Sequence, residues 1–277
     1  MERFLGIDIG GTSVKYGVYD KDGKSFFDGE YNNNLKNLEE LFEIIDSIIE
    51  NNNICGIGFS VPGFVDKKTK ILSHSSAVPF LHNLNFIDIF SKRYNIPVQV
   101  ENDANCAALA ELWIGNGKDC DNIICLTIGT GIGGSIIINK NLYYGSHSQA
   151  GEFGLAYINT FEGVNLGYCA TSMLIKRANV SNGREFFDNI NNDKIKEFYI
   201  DWYKQLAKGI YSLGVIFDPS KILIGGGISN RIEIYKDIKE HLKEIALYPY
   251  YWDVAPCKFG NDSGKIGAIY NLIKERI

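Results

Sequence analysis

Asp8-Ile9-Gly10-Gly11-Thr12 and Thr127-Ile128-Gly129-Thr130-Gly131-Ile132-Gly133-Gly134 are the two stretches on which the fold turns. Each follows an apolar, strand-like run, Phe4-Leu5-Gly6-Ile7 in the first case and Ile123-Ile124-Cys125-Leu126 in the second. Each is followed by another strand-like run and a polar turn. Val14 to Tyr19 leads to Lys21-Asp22-Gly23-Lys24, and Ser135 to Ile138 leads to Asn139-Lys140-Asn141. One unit of strand, glycine turn, strand and hairpin therefore occurs twice. Glycine lets backbone amides approach a phosphate closely, in conformations that other residues avoid. Two such loops in duplicated halves predict a nucleotide held in a cleft between two domains. Either loop alone reads as an ordinary hairpin turn, but the pair, each with threonine beside glycine, does not. Residues 129–134 match G-x-G-x-x-G, yet a β-run follows in place of a helix, so this is no dinucleotide fingerprint. The Walker lysine pattern is also missing.

The chain has 277 residues, enough for two domains of about 100–150 residues. Its hydrophobic fraction of 45% allows each half a core. The net charge is −5 and no basic cluster stands out, which argues against nucleic acid or an anionic membrane as partner. An anionic substrate must then be held locally by loop amides. The sequence enters a strand at once, without a charged leader, and no apolar run reaches the roughly 18 residues of a membrane span. A soluble, cytoplasmic protein is expected. Six cysteines without a C-x-x-C pair and four histidines without ligand spacing predict reduced thiols and no zinc site.

The polar, glycine-rich stretch 115–119 is the best domain boundary. The expected division is a first domain of residues 1–117 plus 265–277, for sugar and phosphate, and a nucleotide-binding domain of residues 118–264. Helices are expected over 35–50, 104–113, 195–217 and 266–277, with strands over 54–61, 98–100 and 221–224. Ser229 or Asn230 is expected to cap a further helix that runs to about residue 246. Strands alternating with helices give an α/β class.

Glu101-Asn102-Asp103 lies where a strand ends and a helix opens, the usual ligand position in open α/β sheets. A carboxylate there can accept a hydroxyl proton while the neighbouring amide holds adjacent hydroxyls. A simple helix cap is the plain alternative for Asp103; the phosphate loops favour the catalytic reading, because a kinase needs a base opposite its γ-phosphate. Glu152, between Gly151 and Phe153-Gly154, is a second candidate carboxylate. Asp8 stands where it could meet the Mg²⁺ of a nucleotide. Gly225-Gly226-Gly227 could let an adenine or ribose lie against bare backbone.

These stretches, together with Glu101-Asn102-Asp103-Ala104-Asn105-Cys106-Ala107-Ala108-Leu109-Ala110-Glu111 and Ala150-Gly151-Glu152-Phe153-Gly154, resemble the ROK family (repressors, open reading frames, kinases) in family order across nearly the whole chain. The resemblance implies the actin-like, ribonuclease-H-like duplicated two-domain kinase fold and ATP-dependent phosphorylation of a hexose or amino sugar, usually on O6. It makes Asp103 the general base and has Asn102 and Glu152 bind sugar hydroxyls. Pro62-Gly63-Phe64-Val65-Asp66 resembles the sugar-side loop. The resemblance places Gly11, Thr12, Thr130 and Gly131 at the phosphates, with Gly10 and Gly129 in the same loops, and Gly226 and Gly227 at the adenosine. It also implies a homodimer.

Two departures bear on substrate. Leu155 stands where the family has His after its Gly-Glu-x-Gly turn, and residues 163–170 retain only fragments of the C-x-C-G-x-x-G-C-x-E zinc box. Zinc is therefore not expected. Because N-acetylmannosamine kinases of this family can lack the box, N-acetylmannosamine phosphorylated at O6 is the expected reaction. Glucokinase, or another hexose or N-acetylhexosamine kinase, is the alternative. A repressor would need a winged helix-turn-helix before the first phosphate loop, yet Asp8 is almost at the N-terminus. A catalytically dead sensor would predict a lost base or damaged loops, and both are intact.

Overall fold

The repeated strand and glycine turn folds twice into the same sheet. The computed structural model describes residues 2–32, 35–75, 77–159 and 162–276. Met1 and Ile277, the expected outer limits of the first domain and last helix, lie outside them. In the first half, β1 (Phe4–Ile9), β2 (Ser13–Tyr19) and β3 (Ser25–Asn32) precede α1 (Leu38–Ile49) and β4 (Ile57–Val61). Short β5 (Phe64–Val65) and β6 (Leu72–Ser73) follow, then α2 (Phe86–Tyr94), β7 (Val98–Asn102) and α3 (Asp103–Ile114). The second half opens on β8 (Ile123–Ile128), β9 (Ile132–Ile138) and β10 (Asn141–Leu142), with β11 (Tyr157–Asn159) and β12 (Val164–Asn165) as a small extra pair. Then come α4 (Thr171–Ala178), α5 (Gly183–Asp188), α6 (Asp193–Phe217), β13 (Lys221–Gly225), α7 (Ile232–Ile245), β14 (Asp253–Pro256) and α8 (Ser263–Lys274).

The two five-stranded sheets run β3-β2-β1-β4-β7 and β10-β9-β8-β13-β14. In each, a hairpin of antiparallel strands adjoins parallel crossover strands. The central parallel strand of the first sheet, Ile57-Gly58-Phe59-Ser60-Val61, is buried along its whole length, as a strand covered on both faces must be.

The chain divides into two units. The first comprises Met1–Lys118, Tyr144–Ala150 and Asn261–Ile277, and the second Asp119–Tyr143 and Gly151–Gly260. On one side of the first sheet, Phe59, Phe86 and Phe90 pack ring to ring within a larger apolar core. Against β1 and β4 lies α8, so close that a Cβ at Gly58 would stand 2.1 Å from the Ala268 carbonyl oxygen. The 144–150 segment is tied to this unit by side chains. Tyr144 donates its hydroxyl to Glu101 Oε2 at 2.8 Å, and the Lys67 amide donates to Ser148 Oγ at 3.0 Å.

Most helix ends follow local chemistry. Asn37 caps α1 through the Glu40 amide, and Asp218 closes α6 in a left-handed turn before Pro219. The start of α7 differs from expectation. It begins at Ile232 behind Arg231, without a side-chain cap, and Ser229 is instead buried in the preceding turn. The Ser229 amide there donates to the Gly226 carbonyl, so the triple glycine pulls this serine into a tight turn ahead of the helix.

Candidate active site

In the first unit, parallel register brings three polar residues level on neighbouring strands: Asp8 on β1, Ser60 on β4 and Glu101 on β7. Ser60 donates to Asp8 Oδ1 at 2.6 Å. The Asp8 carboxyl is pressed against the start of α8, where a Cβ on Gly264 would meet its Cγ at 2.4 Å. Burial pushes its pKa up to about 6; the charge of Asp103 adds to the rise, while Ser60, Lys15 and Lys265 oppose it. Gly10, Gly11 and Thr12 form the turn beyond, closed by the Gly10 amide donating to the Ser13 carbonyl at 2.9 Å.

Glu101 is buried and fixes the strand-to-helix corner. Its Oε1 accepts from the Asn102 amide at 2.8 Å and from Asn105 Nδ2 at 2.9 Å. Desolvation raises its pKa, and those hydrogen bonds work against the rise. Asn102, not Asp103, is the N-cap of α3, its Oδ1 accepting from the Ala104 and Asn105 amides. Its Nδ2 donates to the Gly63 carbonyl at 2.8 Å, which holds the 62–66 loop to the helix start. Gly63 has φ +110, and a Cβ there would stand 2.7 Å from the Ser73 carbonyl oxygen, so this turn needs glycine. Asp103 is left exposed on the first turn of α3, its Oδ1 also accepting from the Ala104 amide.

In the second unit, Gly129 and Thr130 border a cavity of about 540 Å³, while Gly131 lines another, beside Glu152. A Cβ at Gly129, Gly131 or Gly227 would meet nothing within 4 Å. Packing of the chain on itself does not demand these glycines, and their bare backbone leaves room for close approach of a ligand. Gly226 is different: it does not line the cavity, has φ +89, and is forced by the Ile128 carbonyl 2.2 Å from its missing Cβ. The loop is pinned to α4, where the Thr171 amide donates to the Gly129 carbonyl and Ser172 Oγ to the Thr130 carbonyl. Thr171, Ser172, Ile175, Phe187 and Arg231 line the same cavity, and none was singled out from the sequence. A Thr-Ser pair opening a helix was the available signal, but its link to residue 130 is made only by folding.

Glu152 lies at a second cavity, of about 510 Å³, shared with Leu155, Val164, Asn165, Tyr168 and Met173. Desolvation alone raises its pKa. Leu155 in this lining is 69% exposed. Ala170 is buried at the start of α4 and is not part of this lining.

Magnesium held with a nucleotide takes one or two carboxylates, phosphate oxygens and waters. Asp8 fits that role, because the charge its surroundings disfavour is one that a divalent cation would compensate. Among the described residues, no three of His, Cys, Asp and Glu group as a metal-binding set. Elemental analysis of the purified protein is expected to find well under one zinc per chain, since structural zinc takes four Cys or His ligands. About one zinc per chain, with activity lost to a chelator in excess Mg²⁺, would overturn that expectation.

The ROK family model matches residues 4–275. A β-glucoside kinase of Listeria monocytogenes is 33% identical over 290 residues, covering 99% of this chain and 98% of the relative. Among solved structures, a Listeria monocytogenes protein provisionally described as an N-acetylmannosamine kinase is 31% identical, with a TM-score of 0.88, covering 99% of this chain and all of that one. A ROK family protein from Streptococcus pneumoniae in complex with sucrose is 30% identical, with a TM-score of 0.91 and 99% coverage of both chains. The two matching sheets therefore form the actin-like, duplicated α/β fold.

Proposed function

The chain belongs to the ROK family, and on that premise we propose that it transfers the γ-phosphate of ATP to the 6-hydroxyl of a sugar. The observation that carries this reading is the corner at Asn102-Asp103, where one residue caps the helix and the next is left exposed as a carboxylate. Asp103 accepts the proton of the attacking hydroxyl as its oxygen bonds to phosphorus and ADP leaves. Asn102 uses its Oδ1 and one amide hydrogen on the protein, keeping the second hydrogen for a neighbouring sugar hydroxyl. Gly63 presents the sugar-side loop and Glu152 accepts from further hydroxyls. Gly10, Gly11, Thr12, Gly129, Thr130 and Gly131 cradle phosphates, and Gly226 and Gly227 shape the adenosine turn. Magnesium, when bound at Asp8, supplies charge compensation for the phosphates. A cytoplasmic location and a homodimer complete the reading; sedimentation at equilibrium tests the dimer.

For the sugar, we favour a β-glucoside. The cavity at Glu152 falls within the roughly 300–1,000 Å³ range of small-molecule sites and holds far more than an acetyl group. The β-glucoside kinase and the sucrose-bound relative support substrates larger than one ring. N-acetylmannosamine, expected from the missing zinc box, is the second reading. Its support is the apolar surface of Leu155, which could meet an acetyl methyl, and the 31% identical solved structure. A coupled ADP-release assay over phenyl β-D-glucoside, cellobiose, N-acetylmannosamine, N-acetylglucosamine and glucose decides. We expect kcat/KM for a β-glucoside to exceed that for N-acetylmannosamine by about tenfold, roughly 1.4 kcal/mol of transition-state preference. The reverse order installs N-acetylmannosamine, and a tenfold lead for glucose installs glucokinase. No turnover on any sugar removes the kinase reading.

A further inference from the structure

We propose that Tyr168 is a stacking platform for the aglycone ring of the glucoside, and so the residue that selects this substrate class. The proposal rests on the β-glucoside reading and adds the side chain that would enforce it. Large exposed apolar side chains gathered around a concavity mark a ligand surface. Leu155 and Met173 are 69% and 39% exposed, and both line the cavity at Glu152 with Tyr168.

Tyr168 is held as a platform should be. The Arg177 guanidinium lies 3.9 Å from its ring centroid. Its hydroxyl donates to Asp201 Oδ2 at 2.8 Å, and Asp201 is itself fixed by Arg177 at 2.5 Å and by Gln205 at 3.2 Å. This cluster ties the tyrosine to α4 and α6. Arg177 does not line the cavity while Tyr168 does, so one ring face is covered and the ring still borders the open space. An aromatic ring already fixed in place loses little freedom when another ring stacks on it. Phenyl and pyranose rings both offer an apolar face, and Asn165, on the same wall, can meet hydroxyls of a sugar aglycone.

Kinetics of the full chain with phenyl β-D-glucoside and glucose test this. Tyr168→Ala is expected to lower the ratio of their kcat/KM values by about tenfold, and Tyr168→Phe, which keeps the ring, to restore most of it. Leu155 is exposed, so Leu155→Ser should fold normally; we expect it to shift the ratio in the same direction by about threefold. An unchanged ratio in Tyr168→Ala and Leu155→Ser overturns the platform and leaves the glucoside reading standing. A ratio that Tyr168→Phe lowers as much as Tyr168→Ala also overturns it, because the hydroxyl and not the ring would then matter. A wild-type enzyme that phosphorylates glucose or N-acetylmannosamine but no β-glucoside overturns both.

Discussion

Asp103→Asn is expected to fold like the wild type and to lose about 10²–10⁴-fold in kcat, the usual cost of removing a general base. The N-cap of α3 does not depend on this carboxylate. Asn102 caps α3, and the contact of Asp103 Oδ1 with the Ala104 amide can be kept by an asparagine oxygen. The melting temperature should therefore hardly move. KM for the sugar should also change little, because the proton is taken up only as the new bond forms. The check is a coupled ADP-release assay alongside thermal unfolding. A variant with near wild-type kcat would remove Asp103 from the chemistry, and one that unfolds early would show its role to be structural.

Asp8 should make the enzyme sensitive to acid and, at the same time, less stable than it need be. Its pKa is raised from 3.8 to about 6, so the folded protein favours the protonated form. For the unliganded protein this means stability is lost as pH rises from about 4 to about 6, and the loss is complete above that window. On the proposed reading, Asp8 meets magnesium in its ionised form. kcat/KM for MgATP should then fall about tenfold per pH unit below about 6. Asp8→Asn keeps an acceptor for Ser60 and removes the charge. It should melt higher than wild type at pH 7.5 without nucleotide, yet lose about 10²-fold or more in kcat/KM and the acidic limb of the profile. Because Asp103 contributes to the raised pKa, Asp103→Asn should move the limb in MgATP binding to lower pH. An acidic limb that survives in Asp8→Asn would assign the titration to another group.

Much of this was legible in the chain because it is local. Glycine turns directly after apolar runs announced both hairpins, and Glu101-Asn102-Asp103 announced a strand end opening a helix; β7 and α3 meet at that point. The division of labour within the motif was not legible. Either Asn or Asp can cap a helix, and only the geometry gives the cap to Asn102 and the exposed position to Asp103. Ser229 and Asn230 have the right chemistry for a cap, but the turn at Gly226 commits the chain before α7 begins. Contacts between distant residues had no local signal. Ser60 with Asp8, Glu101 with Tyr144, Ser172 with Thr130 and Tyr168 with Asp201 join residues 33 to 52 positions apart. Periodicity and propensity do not reach that far.

The interrupted path of the first unit sets an order of events on the ribosome. Its strands β1 and β4 are synthesised early, but the helix that covers them, α8, is translated only after the second unit has been completed at Gly260. Domains of a nascent chain usually fold N-terminal first. Here the nascent first unit waits with an unfinished face, and the later-made unit is the first that can close. A message cut short after codon 260 would release a chain with an intact second unit and no wall behind Asp8.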